Sequence, residues 1–158
     1  MSRSGYVDGG DLDPLELGRW RAQVASSIRG KRGQQFLREL ADALDAMPVK
    51  ELIANNLVSP EGACCTIGVV CKSRSIDVSN VDVTDPESVG KLVGISRQLA
   101  AEIEYLNDEC PDFRKDPETG EWKWDETPAE RWARMRKWVD GKIKEDVKLL
   151  KSGTQANF

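Results

Sequence analysis

Three cations at a glycine-marked corner are the residues of this chain best suited to binding an anion. The corner carries Arg29, Lys31 and Arg32, with a glycine on either side of the second and third cations and Gln34 following. A helix is predicted to begin here, so its free N–H groups and dipole would add to the charge of the side chains. The pattern is compatible with a phosphate or carboxylate site. A solvated turn whose cations pair with neighbouring acids is the favoured interpretation, since surface charge runs usually have no other role.

Two tryptophans form a second candidate site. Trp122 and Trp124 alternate with charged residues just after a Pro- and Gly-containing turn at residues 116–120, which is the period-two pattern of a hairpin with one aromatic face. Such a face can stack on bases, contact a partner protein or cover the core of a small domain. Arg134 and Lys137, on the last predicted helix, are candidate contacts of the same partner.

A third candidate is a helix, a glycine turn and a second helix within residues 86–107, which resemble the helix-turn-helix of DNA-binding regulators. Arg97 and Gln98 are the candidate DNA-reading residues. The same helix also carries Glu102, Glu104, Asp108 and Glu109, and we expect these carboxylates on its exposed side, where they would repel phosphates. A structural helical corner is therefore favoured over DNA reading.

The composition excludes several classes of function. The chain has 158 residues, a formal net charge of −4 and no histidine, which removes the commonest general base and the commonest metal ligand. The cysteines lack a C-x-x-C pair, so neither a zinc site nor a disulfide framework is expected; they are Cys64, Cys65, Cys71 and Cys110. We expect a non-enzymatic cytoplasmic protein with no metal, no cofactor and no membrane span.

These candidate residues are expected to lie in one α+β, mainly α domain with about five helices and one or two small β-hairpins. Residues 1–12 are predicted to be a flexible N-terminus, 13–151 a single compact globular domain and 152–158 a flexible tail. Residues 63–72 are ambiguous between strand and helix because they are apolar and β-branched, and a small hairpin that leads into a short helix is the favoured interpretation.

The last predicted helix begins at a Thr127 capping box and keeps an apolar stripe from Trp132 through Val147 to Leu150. This stripe can pack on its own domain or pair with a second copy. A homo-oligomer formed through the C-terminal helix is therefore one of the expected assemblies.

Three sequence blocks resemble a family of small, mostly uncharacterised proteins encoded by tailed phages and prophages. The blocks are the opening MSRSGYVD, the stretch RWRAQVASSIRGKRGQQFLRELADALDAMP and the stretch ETPAERWARMRKWV, and GISRQLAAEIEYLNDE fits the same pattern. The chain departs from the family around residues 63–72. The resemblance implies a protein made in the host cytoplasm during infection or from a prophage.

Proteins of this size and origin are often accessory factors in host takeover or in blocking host defence. The sequence and the resemblance together therefore favour a non-enzymatic protein that binds a host or phage protein. One alternative is a protein that binds or sequesters a nucleotide or another phosphate-bearing small molecule at the basic corner. A DNA-binding regulator is a further alternative, disfavoured by the net charge.

Overall fold

The computed structural model describes residues 2–5 and 13–144, which form six α-helices and one two-stranded antiparallel hairpin. The helices are α1 (Pro14–Arg29), α2 (Lys31–Asp45), α3 (Thr66–Ser73), α4 (Pro86–Val93), α5 (Arg97–Glu109) and α6 (Pro128–Lys142). The strands are β1 (Arg114–Lys115) and β2 (Trp122–Lys123). The predicted α+β, mainly α class is confirmed, with one helix more than the approximate count.

Local capping signals set where four of the helices begin. The side chains of Asp13, Asp85, Ser96 and Thr127 each accept a hydrogen bond from a backbone N–H in the first turn of the helix that follows. Three of these helices also have proline at the start, where the missing N–H costs nothing. Because each signal lies within a few residues of its helix, the sequence identifies all four starts.

The ambiguous residues 63–72 are mostly helical. An isolated antiparallel bridge joins Val58 to Cys64, and α3 begins two residues later, in agreement with the favoured interpretation. The helix is stabilised from a distance, because the Asn107 side-chain oxygen accepts hydrogen bonds from the backbone N–H of Thr66 at 3.1 Å and from its hydroxyl at 2.7 Å. Tertiary contacts thus decide the conformation of a β-branched run that its own propensity leaves open.

Helix α5 lies at the centre of the domain, and it contacts α1, α3, α4 and α6. Its residues Leu99 and Ile103 are buried in the single hydrophobic core. The predicted exposure of Glu102 and Glu104 is wrong, since both residues are buried. A helix covered by four others is not free to enter a DNA groove, so the helix-turn-helix resemblance of residues 86–107 is one of local geometry only.

The basic corner between α1 and α2 does not use left-handed backbone. Gly30, the N-cap of α2, has φ −64° and ψ 159°, an extended conformation. Gly33 is needed for a different reason: it lies inside α2 against the carbonyl of Ser27, and a Cβ built on Gly33 would overlap that oxygen. The two helices therefore meet backbone to backbone.

Helix α6 packs along α2 and ends at Lys142. Met135 and Val139 are fully buried, so the described part of the predicted apolar stripe is used within the chain. Val147 and Leu150, the C-terminal end of that stripe, lie outside the described residues, as does the predicted tail at 152–158. Beyond α6 the chain is extended at Ile143.

The N-terminal residues 2–5 pack against the C-terminal end of α5, although they belong to the stretch 1–12 for which the sequence predicts flexibility. Arg3 is 4% exposed, and its guanidinium donates two hydrogen bonds to Asp108, at 2.6 and 3.0 Å. Glu104 is fully buried nearby, with no hydrogen-bond partner for either carboxylate oxygen among the described residues. Burial raises the pKa of Glu104 to about 7, although the charge of Arg3 opposes the shift.

We expect Gly33→Ala to lower the free energy of unfolding by about 1 to 3 kcal/mol, because the new methyl group must push α2 away from Ser27. Gly141→Ala is the matched control, since a methyl group added at this position of α6 meets no atom within 4 Å. That control should stabilise by about 0.5 to 1 kcal/mol through helix propensity. Urea unfolding measures both, and equal effects would contradict the close contact.

We expect the stability to fall as Glu104 ionises. Its native pKa of about 7 lies above the ordinary 4.5, so its contribution is complete below about 4.5 and is lost as the pH rises to about 7. Urea unfolding at about pH 5 and about pH 8 should show a loss of roughly 2 to 3 kcal/mol. Glu104→Gln should remove most of this loss, and an equal loss in the variant would contradict the assignment.

Candidate functional site

The β1–β2 hairpin exposes three aromatic side chains on one face. Phe113, Trp122 and Trp124 are 70%, 60% and 64% exposed. In the strand register Lys115 pairs with Trp122, and continuing the register by one position places Phe113 opposite Trp124. The rings of Phe113 and Trp124 make an edge-to-face contact with centroids 6.4 Å apart. We call Phe113, Trp122 and Trp124 the aromatic face; these tryptophans do not cover the core.

The opposite side of the hairpin carries two ion pairs, one to the rest of the domain and one within the hairpin itself. Arg114 pairs with Glu130 in the first turn of α6, and Lys123 pairs with Asp116 at 2.8 Å. Hydrogen bonds from Lys123 and from the backbone N–H groups of the turn lower the pKa of Asp116 to about 2. The bond from Arg114 likewise lowers the pKa of Glu130. Because one side is anchored, the aromatic face is held outward.

The side chain of Arg134 is largely buried and bonds within the domain. Its side chain is 11% exposed and donates to both oxygens of Glu126, at 2.6 and 2.8 Å, and to the backbone carbonyls of Leu106 and Asn107. Arg134 thereby joins α6 to the C-terminal end of α5. Lys137 is exposed and forms no ion pair with the described residues, so its amine is accessible. The structure does not place Lys137 on the same surface as the hairpin.

The basic corner borders a pocket of about 310 Å³ at the point where α2 and α5 begin. Lys31 and Arg32 line it, together with Ser27 and Ser96, whose hydroxyl groups are 2.7 Å apart. Within residues 2–5 and 13–144, neither cation has an ion-pair or hydrogen-bond partner for its side chain. The pairing with neighbouring acids that the favoured interpretation of this turn requires is thus not observed in this part of the chain, and two helix N-termini add positive potential.

The other two residues of the predicted anion site do not line the pocket. Gln34 is buried, and its side-chain amide donates to the carbonyls of Ile28 and Lys142 and accepts from the N–H of Lys144. All of its polar atoms are thus used to attach the end of α6 to the corner. Arg29 is exposed, and its carbonyl accepts a hydrogen bond from the Lys144 amine at 2.7 Å.

The side chains of Arg97 and Gln98 contact residues of α1. The Arg97 guanidinium lies 5.8 Å from the ring centroid of Trp20, and the Gln98 amide donates to Gln23 at 3.3 Å. These contacts orient both side chains along the α1–α5 interface. The structure therefore gives no DNA-reading arrangement to these two residues.

The thiols are poorly placed for nucleophilic chemistry. Cys64, Cys65 and Cys71 are buried and Cys110 is half-buried, all of them free. Burial raises the pKa of the Cys71 thiol to about 11, so its thiolate is scarce at neutral pH. In the described ranges, no three His, Cys, Asp or Glu side chains come together as metal ligands. Nor does any helix there have the length and apolar character needed to cross a membrane.

Sequence reasoning missed Phe113 as a member of the aromatic face. The available signal was the hairpin register: a turn centred on residues 116–120 pairs the two strands so that Phe113 stands opposite Trp124. The alternation of residues along one strand was enough to predict that Trp122 and Trp124 share a face. Phe113 lies on the other side of the turn, so predicting it required the pairing between the two strands.

Comparison with family models, with curated proteins and with solved structures finds no match to this chain. Its fold and its candidate sites are therefore assigned from its own residues.

Proposed function

We propose that this protein acts by binding another protein, of a bacterial host or of a phage, through the aromatic face, without catalysing a reaction. The observation that supports the proposal is the exposure of Phe113, Trp122 and Trp124 together on one small hairpin. Aromatic side chains dominate the binding energy of protein interfaces, whereas exposing them in isolation has no benefit for the fold.

The anchoring of the hairpin supports the same proposal. Arg114 and Lys123 are engaged by Glu130 and Asp116, so the strands are held before a partner arrives. A surface that is already ordered loses less conformational entropy on binding than a flexible loop does.

The surrounding charge favours a protein partner over a nucleic acid. Exposed carboxylates that form no ion pair with any described residue surround the hairpin; they are Asp112, Glu118, Glu121 and Asp125. Lys115 is the only cation of the two strands that is not paired in the same part of the chain. A net acidic neighbourhood repels phosphates, so base stacking on the tryptophans would lack electrostatic support.

The resemblance to phage and prophage proteins supplies the biological setting of this proposal. An accessory protein that blocks a host factor needs a binding surface and no active site. The proposed role is accordingly that of an anti-defence or host-takeover factor, with the aromatic face as its contact surface.

The test is affinity capture from a bacterial host lysate with the wild-type protein and with Trp122→Ala/Trp124→Ala. We expect a specific protein to be recovered by the wild type and lost by the variant, since each tryptophan at a hot spot is worth roughly 2 kcal/mol or more. The double variant should have the same thermal stability as the wild type, because both tryptophan side chains are exposed.

The matched control is Leu15→Ala, which removes an equally exposed apolar side chain elsewhere, 61% exposed. The control variant should retain the captured protein. Capture that survives loss of both tryptophans, or no specific capture by the wild type, would contradict the proposed function.

A second candidate function is the binding of a phosphate-bearing small molecule in the pocket at the basic corner. It is supported by Lys31 and Arg32, two cations that line one pocket and have no partners within residues 2–5 and 13–144. The next acids along the chain, Glu145 and Asp146, lie outside those residues. The pocket is large enough for a phosphate group with a small substituent.

We expect pyrophosphate or a nucleotide to raise the melting temperature at low salt if this second function holds. At a hundred times the dissociation constant the stabilisation is about 2.7 kcal/mol, a shift of several degrees. Lys31→Ala/Arg32→Ala should abolish the shift. Arg38→Ala/Lys137→Ala, which removes the same charge from exposed positions elsewhere, should not. A shift that persists in the first variant would exclude the pocket.

A further inference from the structure

A second pocket, distinct from the hairpin and the basic corner, opens between the C-terminal end of α2 and helix α3. We call it the groove; its volume is about 470 Å³. Its wall consists largely of small or flexible apolar side chains, among them Ala43, Ala46, Met47, Ala63 and Val69. Such side chains leave room for the aliphatic side chains of another segment, and methionine adapts to their shape.

The rim of the groove is acidic. Glu51 and Glu61 are both exposed and have no ion-pair partner in the described part of the chain. The single cation of the rim, Lys72, donates to the Gly62 carbonyl at 2.9 Å and is thus directed to its own loop. An occupant of matching chemistry has aliphatic side chains for the wall and amines for the two carboxylates.

The chain itself carries a segment of this chemistry. Residues 147–151 read Val-Lys-Leu-Leu-Lys, three aliphatic side chains with two interspersed lysines. They lie outside the described residues, and the described part of the chain ends at Lys144. We propose that the groove binds residues 147–151 of a second copy of the chain.

The position of Lys144 explains why the second copy is the better donor. Its N–H donates to Gln34 and its amine to the Arg29 carbonyl, which fixes it beside the first turn of α2. The groove lies at the other end of α2, about 12 residues or about 18 Å farther along. Extended residues span about 3.4 Å each, so the chain's own Val147 and Leu149, about 10 and 17 Å from Lys144, fall short of its groove, and only Leu150 and Lys151 could pass that distance. A second copy can place all five residues in the groove.

Exchange between two copies has no such length limit. Each copy can fill the groove of the other, which gives a closed two-fold dimer with two identical contacts. The oligomer expected from the C-terminal apolar stripe is thereby assigned to the segment beyond α6, since the described stripe of α6 is buried within its own domain.

The test is sedimentation velocity of the full chain from micromolar to millimolar concentration. We expect a concentration-dependent dimer that is lost in Leu149→Asp/Leu150→Asp and in Ala46→Trp, which fills the groove. Leu15→Asp, at an exposed position that does not line the groove, is the control and should dimerise normally. The substitutions at 149 and 150 leave every described residue unchanged, so loss of dimer there does not depend on the folding of the groove variant.

A charge exchange tests the rim separately. Glu51→Lys/Glu61→Lys should weaken the dimer about tenfold or more, and adding Lys148→Glu/Lys151→Glu to the same chain should restore it. A wild-type protein that stays monomeric at every concentration would overturn the proposal. So would a dimer that survives both the tail and the groove substitutions.

Discussion

The rest of the structure depends on the hydrogen bonds of Asn107, whose side chain is buried near the C-terminal end of α5. Its oxygen accepts from the N–H and hydroxyl of Thr66 at the start of α3, and its amide donates to the carbonyl of Ile53. Its main-chain carbonyl accepts from Arg131 and Arg134 of α6. Each group would be costly to leave unpaired when buried, so the set fixes one relative arrangement of three segments.

The next residue extends this network to the N-terminal residues and adds a second contact with the loop before α3. Asp108 accepts from the guanidinium of Arg3 and from the N–H of Asn55. One turn of α5 therefore holds the N-terminal residues, the loop before α3, α3 itself and α6. Removing one partner would leave buried charge or buried backbone groups without hydrogen bonds, which is the costly case.

This arrangement fixes where the candidate surfaces lie. The hairpin is attached through Glu130 to the first turn of α6, and the basic corner is attached through Gln34 to the end of α6. Glu130 and Lys142 are 12 residues apart along α6, so the two attachments are about 18 Å apart. The aromatic face and the basic pocket are thus independent surfaces on one frame, and a partner of one does not require the other.

The sequence predicted what local chemistry determines. Caps such as Asp13 and Ser96 mark helix starts within a few residues, and the alternation of Trp122 and Trp124 marks the hairpin. It did not predict contacts between distant positions: Arg3 with Asp108, Gln34 with Lys142, or the burial of Glu104. Periodicity assigns a residue to a face of its own helix and does not show that other helices cover that face.

Native-state hydrogen exchange of the full chain tests most directly whether the hydrogen bonds around Asn107 and Asp108 hold the helices in one rigid arrangement, with the anchored hairpin at its edge. The amides of Leu52, Asn55 and Thr66 donate into the network around α5 and α6, so they should exchange only through global unfolding. The hairpin amides of Asp116 and Gly120 should exchange through smaller local openings. Network amides that open as readily as those of the hairpin would contradict this rigid arrangement.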